Sequence, residues 1–358
     1  MNRYKLVVSD FHIGSGRLME DGEVNPLEDF IFDNRFIDFL DYYSTGDFKK
    51  AEVELVLNGD FLNTLQVDYR EEFPTDITEE VALSKTRRIF EGHPELFDAL
   101  RDFAAVPRHS ITYVVGNHDP AIHWPAVRED ISSRLGTEVQ FPGFSYKFDG
   151  VWVEHGHQYT AANRFDPAKL FVKMPDGKVV LNLPWGCIWV IDYLNKINRD
   201  RPYIDRVQPF GRYLFFAAIF EPTFAIKAIS LLVWFFIKER VTRGKWRKPK
   251  DLKKTLDILS RLSIVPRLDG PAREILSKPG YHTVIFGHNH QAAYRRYGKE
   301  KLFVNVGTWN DIIHLDIQNL GRQRRMTYAF IEYLDKKKPS TRLKLWKGTR
   351  QPHEDVIF

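Results

Sequence analysis

Six short runs rich in β-branched residues, at 6–9, 53–58, 111–115, 151–154, 283–286 and 302–306, each give way to a polar turn containing Gly or His. Their length and composition predict buried strands. Helical patterns at 29–43 and 79–104 separate the first three, and that alternation predicts an α/β layered domain. In open α/β sheets ligands gather beyond the carboxyl ends of the strands, so the turns are where chemistry is to be sought. Further strands are expected at 327–334 and 342–346, joined by a turn at 336–340. A chain of 358 residues allows one large domain or two modest ones, and its hydrophobic fraction of 43% excludes a disordered chain. The single cysteine, Cys187, excludes an internal disulfide and suits a reducing cytoplasm. The apolar run after Met1 is too short for a secretory signal.

Each turn carries metal-compatible side chains. Asp10-Phe11-His12 follows the first run, Gly59-Asp60 the second and Gly116-Asn117-His118-Asp119 the third. His155-Gly156-His157 ends the fourth and Gly287-His288-Asn289-His290 the fifth. Singly, Asp10-x-His12 reads as a cap beside a surface imidazole, and Gly59-Asp60 reads as a turn. Together they supply Asp, Asn and His without thiolate, a mixture suited to hard-to-borderline divalent ions. Two imidazoles after a buried strand, at His288 and His290, are costly to bury unless they have partners.

In this order the motifs resemble those of the calcineurin-like metallophosphoesterases, over roughly residues 1–160 and 280–310. The resemblance implies an α/β fold, a four-layer αββα sandwich of two mixed sheets interrupted by a helical, apolar insertion. The core would occupy 1–162 and 281–358, and the insertion 163–280. It also implies two divalent cations, manganese first, with iron or zinc as alternatives. One would be held by Asp10, His12, Asp60 and His290, the other by Asp60, Asn117, His155 and His288. The two oxygens of Asp60 would bridge the pair. A hydroxide shared by the cations would attack phosphorus, and His118 would protonate the leaving oxygen or stabilise its charge. Asn63 stands where related phosphatases often carry a second Asp, and an amide there orients the imidazole without stabilising its charged form. Asp119 either orients His118 as well or shapes the turn. His157 contacts substrate, lies behind the ligands or is a polar residue of a wet loop. Arg17 and Arg164 either grip a substrate phosphate or are surface arginines. The remaining histidines, His93 among them, read as ordinary polar residues. Asn305 to Trp309 would support the metal loops without a catalytic role.

Residues 213–237 are strongly apolar and interrupted at Glu221-Pro222, which predicts two short helices or a hairpin. The longest uncharged run, 228–237, falls short of the roughly 20 residues that span a bilayer. Eight Lys or Arg residues and one acidic residue follow between Arg240 and Lys254. An apolar element beside basic sequence predicts a peripheral anchor at an anionic membrane, through 213–254, on the inner face of the cytoplasmic membrane. The competing reading is an internal core followed by a solvated basic face. The opening Ser9-Asp10-Phe11-His12-Ile13-Gly14 is similar to the UDP-2,3-diacylglucosamine hydrolases of lipid A biosynthesis. That likeness implies a lipid-linked phosphate or pyrophosphate as substrate. Two departures stand against it: those hydrolases usually carry Arg where His118 stands, and this insertion is unusually large. The alternatives are a nuclease resembling the SbcD type, with the basic run on a phosphate backbone, and a non-catalytic scaffold like the retromer subunit of this fold.

Overall fold

The computed structural model describes residues 2–202, 204–208, 210–238, 267–315, 320–333, 339–349 and 353–355. In chain order, β1 (Arg3–Val8), α1 (Asp33–Ser44), β2 (Glu52–Asn58), α2 (Glu79–Gly92), α3 (Pro94–Ala105), β3 (His109–Val114), α4 (Pro125–Leu135), β4 (Ser145–Phe148) and β5 (Val151–Glu154) come first. A hairpin of β6 (Phe171–Lys173) and β7 (Val179–Leu181) follows, then α5 (Trp185–Trp189), a π-helical turn at Val190–Leu194, α6 (Asn195–Asp200), β8 (Val207–Gln208), α7 (Phe210–Phe220) and α8 (Pro222–Lys238). The last part holds α9 (Asp269–Ser277), β9 (Thr283–Phe286), β10 (Ala293–Tyr297), β11 (Lys301–Asn305), β12 (Asp311–His314), β13 (Gly321–Arg324), β14 (Thr327–Glu332), β15 (Ser340–Trp346) and β16 (His353–Asp355).

One mixed sheet runs β16-β15-β14-β1-β2-β3, the other β10-β11-β9-β5-β4. Within the first, β1, β2 and β3 are parallel; within the second, β5, β9 and β11 are. Side-chain alternation along each strand sorts the core into layers. Val7, Val56 and Val114 point toward Val153, Ile285 and Val304, forming the core between the sheets. Leu6, Val8, Leu55, Leu57 and Ile111 point the other way, under Phe36, Phe39, Leu96 and Leu100 of α1 and α3. On the second sheet, Val284 and Phe286 turn outward beneath Ala272, Ile275 and Leu276 of α9. The result is the helix–sheet–sheet–helix sandwich that the motifs lead one to expect.

Two helix boundaries differ from the sequence pattern. The pattern at 79–104 is two helices, because Pro94 cannot continue α2 and pushes His93 to φ −136°. The first helix starts at Asp33 because the preceding acids serve the loops: Glu28 accepts from the N–H of Gly14 and Gly16, and Asp29 from Arg206. The stretch 163–280 also holds the β6–β7 hairpin and β8 alongside its helices. The Glu221-Pro222 break is present between α7 and α8. Phe235 of α8 is fully buried against Trp185 and Trp189, so this side of the hairpin is internal core. Its other side is exposed, with Phe220 76% and Phe215 62% accessible. Among the described residues no helix is long and apolar enough to cross a membrane. The basic run from Arg240 to Lys254 and the turn at 336–338 lie outside the described residues.

Candidate metal centre

The motif turns share one backbone feature. Asp10, His12, Asp60, His288 and His290 all have left-handed φ, from 50° to 70°. For residues with a Cβ this costs on the order of 1–3 kcal/mol each. The strain turns side chains that would alternate across a strand toward one point. Glycine makes the approach possible: a Cβ on Gly116 would overlap Asp60 Oδ1, and one on Gly59 would come within 2.6 Å of the His155 ring.

Both carboxylates divide their oxygens between holding a loop and facing the centre. Asp10 Oδ2 accepts from Ser9 Oγ at 2.5 Å and from the His288 N–H at 2.9 Å. Its Oδ1 lies 3.2 Å from His290 Nε2 and 3.9 Å from Nε2 of both His12 and His155. Asp60 Oδ1 accepts from the His118 N–H at 2.7 Å, and Oδ2 lies 3.0 Å from His155 Nε2 and 3.9 Å from His12 Nε2. Oδ2 of Asp60 is thus the oxygen that faces the centre, while Oδ1 is held by the His118 backbone. His12 Nε2 and His290 Nε2 stand 3.0 Å apart.

Hydrogen bonds behind the imidazoles choose which nitrogen faces inward. His155 Nδ1 donates to the Asn58 carbonyl at 2.9 Å, leaving Nε2 toward Asp60. Thr160 Oγ1 donates to the His157 carbonyl at 2.8 Å, so it accepts from His288 Nε2–H at 3.2 Å and leaves Nδ1 as the lone-pair nitrogen of His288. Burial, reinforced by the neighbouring His155, pushes His288 down to about 3, and burial with His118 holds His12 well below its usual range. Both are neutral donors. His155 is pushed up to about 10 despite its burial, because Asp60 and Asp10 flank it. Asp60, despite burial, is held well below the usual carboxylate range by His155 and then His118. A cation bound there displaces the His155 proton.

Three overlapping groups have donor atoms within 4.8 Å of one another: Asp10 with His12 and His290, Asp60 with His155 and His288, and His12 with Asp60 and His118. Asn117 Oδ1 and His288 Nδ1 are buried and have no hydrogen-bond partner among the described residues, while Asp10 Oδ1 and His155 Nε2 face only other groups of the centre. Buried polar atoms so arranged are costly unless something pairs them. Divalent cations fit this O- and N-donor set.

The other motif residues take different places. The backbone of His118 is held by Asp60 and by Thr64, and its Nδ1 donates to Asn63 Oδ1 at 3.1 Å. Asn63 is itself tied to Gln66. Asp119 accepts from Tyr113 Oη at 2.8 Å and from the N–H of Gly116 at 2.6 Å and Phe61 at 3.2 Å. It braces the turn that carries His118. Burial and then the Asp60 charge push it up to about 7. His157 does not lie in a wet loop. It is fully buried among His155, His288, Phe144 and Phe165, enclosed away from any substrate, and burial holds it neutral. Arg17 is exposed, and exposed Arg164 donates Nε–H to the Gln158 carbonyl at 2.7 Å.

Sequence reading missed several supports. Thr160 and Asn58 act on ligands 128 and 97 residues away. The support expected from 305–309 is present, Thr308 Oγ1 donating to the Asp10 carbonyl at 2.6 Å, and Asn310 just beyond it adds an unexpected one, its Nδ2 donating to the Phe11 carbonyl at 2.6 Å. His93 is buried between Asp33, at 2.5 Å, and Glu28, at 3.4 Å.

No family model matches the chain, and no curated protein matches it in sequence. Among solved structures it is similar to a Vps29 from Entamoeba histolytica, at 12% identity over 99% of both chains with a TM-score of 0.33. It is similar also to Vps29 from Cryptosporidium parvum, at 11% identity over 100% of this chain and 97% of that one, TM-score 0.33. A dimetal phosphatase from Danio rerio gives 10% identity over 99% of both chains and a TM-score of 0.36. Nothing about activity follows from likenesses at this level.

Proposed function

We propose that this protein is a metal-dependent phosphoesterase that uses two divalent cations, manganese first, to hydrolyse a phosphate ester or pyrophosphate bond. The observation carrying the reading is the convergence of buried carboxylate, amide and imidazole donors on one point, with the His155 and His288 tautomers set from behind. Asp10, His12 and His290 would hold one cation; Asn117, His155 and His288 the other; Asp60 Oδ2 would lie between them. Two such cations lower the pKa of water and neutralise phosphoryl charge. With Nδ1–H donated to Asn63, Nε2 is the nitrogen of His118 that would transfer a proton at the leaving oxygen. Asp119, Tyr113 and Gly116 hold the turn that aims it.

The substrate reading is a lipid-linked phosphate at an anionic membrane, favoured by the exposed apolar side of α7 and α8, where Phe215, Ile219, Phe220, Ile226 and Ile229 face outward. Contiguous apolar surface of this kind marks an interaction site. The test is manganese-loaded protein against bis-p-nitrophenyl phosphate, UDP-diacylglucosamine and single-stranded DNA side by side, with Asp60→Asn as control. Two bound cations with no hydrolysis of any of the three would sink the enzyme reading in favour of a scaffold. Preference for DNA, with no binding to anionic vesicles, would replace the lipid reading by the nuclease one. Phe215→Glu with Phe220→Glu should abolish vesicle binding and spare hydrolysis of the small diester.

A further inference from the structure

Beside the metal centre lies a polar cavity of about 200 Å³, walled on one side by His290 and on the others by Gln291, Asn310, His314, Gln323 and Arg325. Its size is below the roughly 300–1,000 Å³ that encloses a whole drug-sized ligand, so it accommodates one moiety of a larger molecule. Two of its groups have defined chemistry. Asn310 is buried, and because Nδ2 donates to the Phe11 carbonyl, the amide orientation is fixed with Oδ1 as an acceptor. That Oδ1 has no hydrogen-bond partner among the described residues. It awaits a hydroxyl or N–H. The second group is Arg325. Its neighbours Arg322 and Arg324 are both committed to Asp311. Arg325 turns instead to Gln323: with the amide turned so that its oxygen faces the guanidinium, that oxygen accepts from Nε at 3.2 Å and Nη2 at 3.0 Å, the orientation that satisfies both groups. A neutral amide orients the guanidinium without cancelling its charge, which leaves it available for an anion.

We infer that this cavity is a substrate subsite for a hydroxyl-bearing moiety with a second phosphate, lying next to the phosphate at the metals. The inference rests on the phosphoesterase reading for what occupies the metals, but the pocket chemistry stands on Asn310, Gln323 and Arg325. The substrate class is then a phosphorylated sugar or polyol ester, not a simple monoester or an unadorned diester. Asn310 reads the hydroxyl, and Arg325 reads the second phosphate.

The test is calorimetric binding to manganese-loaded protein of three probes: fructose 1,6-bisphosphate, hexane-1,6-diyl bisphosphate, which lacks the hydroxyls, and inorganic phosphate. Wild-type protein should bind the sugar bisphosphate about threefold or more tightly than the hydroxyl-free one, the worth of a neutral hydrogen bond. Arg325→Ala should weaken both bisphosphates about tenfold or more, the worth of a charge-assisted one, and leave inorganic phosphate unchanged. Equal binding of the two bisphosphates by wild type, or unchanged bisphosphate binding in the variant, would overturn the subsite. Absence of diester hydrolysis by wild-type protein, with the binding pattern intact, would instead overturn the enzyme reading and leave the subsite standing.

Discussion

Thr160→Val should separate the two metal positions. The hydroxyl of Thr160 accepts from His288 Nε2–H at 3.2 Å and donates to the His157 carbonyl at 2.8 Å. Valine fills nearly the same volume, so the half-buried site keeps its packing while His288 loses what fixes its ring and tautomer. Hydrogen bonds behind a metal-bound histidine are typically worth about 10–100-fold in metal affinity. His288 belongs only to the group with Asp60 and His155, and the group of Asp10, His12 and His290 contains no atom that Thr160 touches. Manganese titration followed by electron paramagnetic resonance should show two tight equivalents in wild type. The variant should show one tight and one weakened by about 10–100-fold. The fold should be retained, since the loss is two side-chain hydrogen bonds of about 1 kcal/mol each at a half-buried position. Thr160→Ser, which keeps the oxygen, should restore the second equivalent. Equal weakening of both positions, or of neither, would refute the assignment of His288 Nδ1 as the inward nitrogen.

His118→Ala should keep both cations and lose about 10²-fold or more in kcat, with a smaller loss for p-nitrophenolate leaving groups; loss of metal would make His118, which also groups with His12 and Asp60, a ligand. Gly116→Ala should release metal from a folded protein, because its Cβ would displace Asp60, and full occupancy in that variant would contradict the close approach. His93 is held up to about 9 by the hydrogen bonds it donates to Asp33 and then to Glu28, which outweigh its burial. Its folded value lies above the unfolded one of about 6.5, so its stabilisation is complete below that pH and fades as pH rises toward 9. Chemical denaturation should show wild type losing its advantage over His93→Gln across that window, and a constant difference would remove the charged pairing.

The donors to the centre were legible because each follows a strand, so chain order alone predicts that they meet. Their supports were not, since Thr160, Asn58 and Asn310 are ordinary polar residues whose meaning comes from a carbonyl or ring far away in sequence. Of the readings left open for His157, the wet loop fails because Phe144 and Phe165 close over it, and its place beside His155 and His288 agrees with a position behind the centre. The helix pattern at 29–43 overran its true start because Glu28 and Asp29, good helix-entry residues in isolation, have stronger uses in the loops. The apolar hairpin could be assigned to neither core nor surface by pattern because it is both: Phe235 lies inside and Phe220 outside.

The strand order carries a consequence for how the molecule is made. β14 lies between β15 and β1, and the ligands His288 and His290 come from the last part of the chain to meet Asp10. During synthesis Asp10 and Asp60 leave the ribosome long before their partners exist, in a sheet still missing its inner antiparallel strand. The nascent chain has carboxylates but no pocket. If the centre takes up cations, a truncated product that ends before β9 would carry three of the four donors proposed for each position and lack the imidazole that closes it, His290 at one and His288 at the other.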